Sequence, residues 1–177
     1  LTILVVIIAV IFIYFRNQSQ KNETAALELS KVKQFYAMDM FPAAINGDSL
    51  GISKGLLYIV DNYGSTESGQ TAKIMLANCY YNLREFDKAD AYFRDYSGSN
   101  ELFKAASLVG IASVYETKGD WKNAAKYYEN ASKVSKTVPS NDEYMYYAIR
   151  SYYNAKDEDN LKKSIKTFKT EYPKSKY

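Results

Sequence analysis

Histidine is absent from the 177 residues, and cysteine occurs once, at Cys79. These gaps exclude most metal centres, every Ser/His or Cys/His nucleophile pair and any internal disulfide. Proline and glycine are scarce, at 3 and 8 residues. So few chain breakers argue against a sandwich of short strands. An excess of one charge is lacking too. There are 23 basic and 20 acidic residues, a net charge of +3, and the two signs are interleaved. That balance excludes a basic stripe of the kind that grips nucleic acid. No glycine-rich phosphate loop is present, since Gly47, Gly51 and Gly55 do not follow an expected strand. No catalytic residue, cofactor site or metal site can be named, and the chain reads as non-enzymatic.

What the chain has in quantity is tyrosine, 18 residues, which points to packed helices with aromatic filling. It also has one apolar run, Leu1 to Phe15, LTILVVIIAVIFIYF, in which Thr2 is the only polar residue. Arg16, Asn17, Gln18, Ser19, Gln20 and Lys21 follow at once. Fifteen residues at about 1.5 Å each cover roughly 22 Å, less than the roughly 30 Å of a bilayer core. The first residue is not Met and already sits inside the run. The expectation is therefore a transmembrane anchor over residues 1–16, continued upstream, then a linker over 17–23. A cleaved signal peptide would need small residues at the cut, and the run ends in Ile-Tyr-Phe-Arg. A buried core helix would show a polar stripe. Tyr14 and Phe15 suit the membrane interface.

Two later segments align at a spacing of 35 residues. Ala77 corresponds to Ala112, Tyr80 to Tyr115, Phe86 to Trp121, Ala89 to Ala124 and Phe93 to Tyr128. The alanines let two helices of a hairpin approach closely, and the aromatics fill the space around those contacts. Gly119 ends one helix with a residue that tolerates positive φ. Such hairpins stack because one alone cannot bury its apolar face.

These residues resemble the tetratricopeptide-repeat (TPR) family, whose period is about 34 residues. The segment ending at Ala131 follows the pattern closely. The preceding one has Arg84 where the family has Gly, and Tyr96 where it has Ala. A third copy places Tyr152, Leu161, Ile165, Phe168 and Pro173 at the expected offsets, after a lengthening near Thr137 to Asn141. In it Ile149 and Leu161 replace the small residues, which puts its packing angle in question. The repeats are expected over about 70–103, 105–138 and 142–175, within a domain of 70–177. A degenerate hairpin over 24–69 precedes them. Its first helix runs from Thr24 to Met40, with Leu27, Val32, Phe35 and Tyr36 as apolar positions. A loop over Phe41 to Leu50 and a second helix over Ile52 to Tyr63 complete it. The implied fold class is all-α: a TPR-like solenoid of helical hairpins forming a right-handed superhelix, with an N-terminal transmembrane helix.

The stretch Phe41-Pro-Ala-Ala-Ile-Asn-Gly-Asp48, then Gly55 to Thr66 and Ala72, is similar to a narrower group. These are single-pass TPR proteins of the bacterial inner membrane, of the YfgM-like kind in Bacteroidetes and Chlorobi. The resemblance implies repeats on the periplasmic side. It also implies partners among translocon components of the Sec system and periplasmic folding factors, with the lipid bilayer met through residues 1–16.

The TPR resemblance carries a concave, protein-binding face onto Asn78, Tyr81 and Asn82, then Ser113, Glu116 and Thr117, then Arg150, Tyr153 and Asn154. This set is polar with two aromatics. It suits an extended peptide or loop read by hydrogen bonds and stacking on Tyr; ordinary solvated positions are the alternative. A clamp for a terminal carboxylate would need cations near Asn78, and Ile74 and Thr71 supply none. The acidic run Asp157-Glu158-Asp159 falls at a hairpin turn and reads as solvated. On the last helix, expected over Asn160 to Tyr172, Leu161, Ile165 and Phe168 should pack inward while Lys162, Lys163, Lys166 and Lys169 stay in water. Two functions remain open. One is a scaffold or chaperone-like subunit for exported proteins. The other is a structural accessory subunit of an energy-transducing membrane complex, respiratory or photosynthetic.

Overall fold

The computed structural model describes residues 2–177, and every regular element among them is a helix. Leu1, the first residue of the expected anchor, lies outside the described residues. The chain divides into two compact units, one up to Cys79 and one from Tyr80 onward.

The first unit is dominated by α1 (Thr2–Ala37), 36 residues long. No Gly or Pro interrupts residues 2–37, and the polar stretch from Asn17 to Glu23 contains no residue that breaks a helix. The expected linker over 17–23 is therefore helical, and α1 runs unbroken for about 54 Å. From Ile3 to Phe15 its side chains are exposed, and α1 is the one described helix long and apolar enough to cross a membrane. Beyond Lys21 a stripe of Ala25, Glu28, Leu29 and Val32 is buried. Leu27, expected among the apolar contacts, is 59% exposed. Two residues past Ala25 it is turned some 200° around the helix, off that stripe.

The segment expected as a loop begins with a short helix, α2 (Phe41–Asn46), with Pro42 in its first turn. Proline fits there because the amide hydrogen it lacks would have no helical partner. Asp48 then holds residues 48–53 out of helix. Its carboxylate accepts from Ser53 N at 2.6 Å and Leu50 N at 2.9 Å. These backbone bonds, Ser53 foremost, keep its carboxyl below the usual aspartate range. Helix α3 (Gly55–Tyr63) consequently starts three residues later than expected. Leu56 and Ile59 are its fully buried residues. Thr66 caps α4 (Glu67–Asn82), accepting from Gly69 N at 3.0 Å. The turn before α4 is pinned to α1 by Gln18 Nε2, which donates to Ser65 O at 3.3 Å, and by Asn22 Oδ1, which accepts from Ser68 N at 3.1 Å.

The second unit contains the end of α4 and then α5 (Phe86–Asp95), α6 (Glu101–Thr117), α7 (Trp121–Ala131), α8 (Asn141–Asn154) and α9 (Glu158–Glu171). Its hairpins α6–α7 and α8–α9 turn in one way, shared with the connection into α5. Residues Arg84, Gly119 and Lys156 take φ of 62°, 74° and 55°. The next amide, of Glu85, Asp120 or Asp157, donates five residues back to Tyr80, Tyr115 or Tyr152. This closes each helix with a left-handed residue and satisfies carbonyls that would otherwise be orphaned. Two of the three left-handed residues carry long side chains, so the backbone bonds hold them against a steric cost. Asp120 then accepts from Asn123 N at 3.1 Å, and Asp157 from Asn160 N at 3.3 Å, each capping the second helix of its hairpin.

Small residues set the helix spacing. Ala112, Ala124, Ala125 and Ala148 are wholly buried beside Tyr128, Met145 and Tyr152. Between α5 and α6 the Phe93 ring lies on Gly110, where a Cβ would stand 2.3 Å from the ring. Ser107 Oγ donates to Phe93 O at 2.6 Å beside it. In the α8–α9 hairpin the loss of alanine at Ile149 and Leu161 is offset one residue or one turn away: Ala148, Ser151 and Ser164 are the small buried residues, while Ile149 and Leu161 pack at the edge of the core.

Relieving the left-handed strain should stabilise the protein. Arg84→Gly and Lys156→Gly are each expected to add about 0.5–1 kcal/mol, and Gly119→Ala to remove about 1 kcal/mol. Urea unfolding of the three variants measures this. A Gly119→Ala protein as stable as the parent would contradict the assignment.

Candidate functional site

The face predicted for binding is built largely on α6 and α8. At about 3.6 residues per turn, the i, i+3, i+4 spacing places Ser113, Glu116 and Thr117 along one side of α6, and Arg150, Tyr153 and Asn154 along one side of α8. The structure joins three of these six. The Glu116 carboxylate accepts from Tyr128 Oη at 2.8 Å through Oε2 and from the Arg150 guanidinium through Oε1. Ser113 Oγ lies 3.1 Å from Tyr128 Oη and 3.0 Å from Val109 O. Arg150 is also placed 5.1 Å over the Tyr147 ring, whose hydroxyl donates to Glu143 at 2.7 Å. Tyr128 and Tyr147 are themselves in ring contact at 5.4 Å.

This arrangement changes what the face offers. Glu116 and Arg150 neutralise each other, so neither is a spare charge for a ligand. Burial, reinforced by the hydrogen bond to Glu116, pushes the Tyr128 hydroxyl above the usual tyrosine value. The bond to Glu143, with burial, pushes Tyr147 up to about 12. Both hydroxyls are thus fixed donors. Tyr128 and Tyr147 are neighbours of the predicted set that the repeat spacing alone did not single out, because Tyr128 falls at a position read as core filling.

The remaining predicted residues have other neighbours. Thr117 turns its hydroxyl back to Val114 O at 2.8 Å. Tyr81 packs edge-on against Phe86 at 5.4 Å, and burial with the nearby Glu116 charge raises its hydroxyl pKa. Asn82 is exposed at the end of α4. Asn78 belongs to the first unit, where its amide donates to Tyr36 Oη at 3.2 Å. Tyr153, 70% exposed, and Asn154 line a groove of about 520 Å³ with Lys156, Glu158, Leu161 and Lys162. Here one aromatic ring and one aliphatic chain are framed by amide, ammonium and carboxylate groups.

Other tyrosines are structural. Tyr80 stacks on Tyr92 at 5.6 Å, and 35 residues later Tyr115 stacks on Tyr127 at 5.5 Å. Arg94 closes the second stack, donating to Tyr127 Oη at 2.8 Å and to Asp90 at 2.7 Å. Tyr152, raised by burial and by its 2.8 Å bond to Glu129, ties α8 to α7. Burial pushes the Glu129 carboxyl up, yet the bonds from Lys133 and Tyr152 bring it below its usual value. On α9, Lys162, Lys163, Lys166 and Lys169 are exposed while Leu161 and Phe168 pack on the core. Asp157 serves as the α9 cap, held below the usual aspartate range by Asn160.

Glu116→Ala should cost about 1–3 kcal/mol, because the buried Tyr128 hydroxyl loses its acceptor, while Arg150→Ala, at an exposed position, should cost less than about 1 kcal/mol. Urea unfolding of both variants compares them, and equal costs would contradict the network. The protonation chemistry gives a second expectation. Tyr36, Tyr81, Tyr128, Tyr144, Tyr147 and Tyr152 are all raised in the fold, with burial or a carboxylate as the leading cause. Raised folded values mean a contribution that is complete below the free tyrosine value and lost as pH climbs past it. Glu129, lowered in the fold, contributes above the free carboxyl value and loses that as pH falls. Burial likewise pushes the Cys79 thiol up to about 12, so stability should be flat between about pH 5 and 8, begin to fall above about pH 8.5 and decline further above about pH 10. A step near neutrality in the urea midpoint would contradict this, since the chain has no histidine to produce one.

Residues 71–99 and residues 107–141 match two family models, each described as a tetratricopeptide repeat. The first match covers most of α4 with α5, and the second covers α6, α7 and the start of α8. No curated protein and no solved structure matches the chain. The spacing of 35, the alanine–aromatic packing and these two matches agree: the chain carries tetratricopeptide repeats.

Proposed function

We propose that this protein is a non-catalytic, membrane-anchored scaffold that holds an extended polypeptide on the α6–α8 face. The observation that carries the reading is the pairing of two tetratricopeptide repeats, which serve to bind proteins, with an apolar helical arm whose side chains are exposed from Ile3 to Phe15. Exposed apolar surface of that length needs a cover, and a bilayer supplies it. A helix serving as a soluble core would be packed, and the apolar window of α1 is 0% buried.

On the binding face, the Glu116–Arg150 pair cancels its own charge and leaves hydroxyls, amides and the exposed Tyr153 ring. Such a surface takes main-chain amides and mixed side chains rather than one charged tail. In keeping with the resemblance to single-pass inner-membrane TPR proteins, the activity belongs at a bacterial inner membrane, with the repeats on the periplasmic side beside the Sec translocon and its folding factors. There the anchor raises the local concentration of the face, so weak contacts suffice.

A second reading has its own support. Helix α1 enters the first unit with no flexible stretch between, which suits a stationary accessory subunit of an energy-transducing membrane complex. Copurification of the tagged full chain in mild detergent separates the two. Captured chains in low, variable ratio support the scaffold; fixed stoichiometry supports the subunit. Under the scaffold reading, Tyr153→Ala should weaken capture about tenfold with the fold intact. Intact mass of the membrane-extracted protein checks the anchor: a species starting after Phe15 would show a cleaved signal peptide and end that part of the proposal.

A further inference from the structure

The first unit brings a polar groove to the foot of the apolar arm. It measures about 460 Å³ and is lined by the Lys21 ammonium, the amides of Asn17, Gln18 and Gln20, and the hydroxyls of Tyr14, Thr24 and Tyr63. No lining residue is acidic. Gln18 Nε2 already donates to Ser65 O, Thr24 Oγ1 to Gln20 O, and the Tyr63 hydroxyl is bonded to Tyr58. The Lys21 ammonium and the Asn17 and Gln20 amides, with no carboxylate beside them, are the donor set that a phosphodiester accepts from.

Its height along α1 follows from helix geometry. Gln18 stands three residues past Phe15, the last residue of the apolar run, or about 4.5 Å at 1.5 Å per residue. The headgroup layer adds about 5–7 Å to each side of the hydrocarbon core. Gln18 and the turn at Ser65, bonded to it, therefore fall inside that layer, while Lys21, its backbone about 9 Å past Phe15, reaches back toward it because helical side chains tilt to the N-terminus. Asn22, about 10 Å past Phe15, falls just outside it. Because α1 is continuous here, this height is fixed by the backbone and is not averaged by a loose tether.

We infer that this groove seats the phosphate of a bilayer phospholipid headgroup, so that the turn between α3 and α4 rests on the membrane surface. The inference depends on α1 being a retained membrane anchor, as proposed above.

The test uses the full chain with Cys79→Ala and single cysteines at Ile8, Ser49 or Ser65, spin-labelled and placed in phosphatidylcholine vesicles. The label at Ile8 should be open to oxygen and closed to a water-soluble nickel chelate. The label at Ser65 should show nickel accessibility several-fold below that at Ser49, in the loop before α3. In the Cys79→Ala chain without labels, a photoactivatable group on the lipid headgroup should crosslink to the protein. Lys21→Glu should reduce that yield several-fold, Lys21→Gln less so, with helix content unchanged. Ile8 in hydrocarbon with Ser65 as open as Ser49 would overturn the inference and leave the anchor standing. Ile8 in water would overturn both. Crosslinking abolished by added inorganic phosphate would assign the groove to a free anion and overturn the lipid assignment, as would a yield indifferent to Lys21→Glu.

Discussion

Helices can pack closely only where their side chains are small, and this constraint governs the second unit. Ala112, Ala124, Ala125 and Ala148 are wholly buried, and tyrosines occupy the space around those approaches. An aromatic ring contributes a large buried area, but a tyrosine also brings a hydroxyl that must find a partner. The structure places those partners at helix–helix junctions. Tyr128 reaches Glu116 from α7 to α6, and Tyr152 reaches Glu129 from α8 to α7. The packing choice thus produces the polar cross-links, and these in turn decide which charges remain for a ligand.

That logic explains why the proposed binding face is quieter than its residue list implies. Glu116 and Arg150 look like two recognition charges when the chain is read as text. In three dimensions each occupies the other, and Tyr128 and Tyr147 fix them from below. What remains accessible is Tyr153 with Asn154 at the mouth of the groove between α8 and α9. A partner there gains ring stacking and amide bonds, with little long-range steering from charge.

The repeat was legible because its signal is compositional: alanines and aromatics recur at 35 residues, whereas the capping role of Asp120 and Asp157 appears only in the structure. The hairpin turns were only partly legible. Glycine is the usual mark of a left-handed helix end, and Gly119 carries it, but Arg84 and Lys156 adopt the same backbone without the mark. Their conformation is dictated by backbone bonds to Tyr80 and Tyr152, which no side-chain pattern records. Residues 17–23, expected as a linker, are helical because they hold no Gly or Pro and nothing there stops α1. The pairing of Glu116 with Arg150 lay 34 residues apart, near one repeat length, and needed the helix faces to be known before it could be seen.

The unbroken α1 bears on function as much as on fold. Seven residues of flexible linker would let the first unit wander over about 15 Å, whereas the same seven in a helix advance it about 10 Å in one direction. A loose tether presents a domain to partners at many heights with a modest effective concentration at each. A helical strut concentrates that presentation at one height and removes it elsewhere. In the anchored arrangement proposed above, a partner of the first unit is one held at a defined distance from the bilayer, or one long enough to pass through that level. An extended polypeptide leaving the membrane meets the second condition, and a neighbouring membrane subunit meets the first. A freely diffusing globular partner gains nothing from the strut, which makes it the poorest match to this architecture.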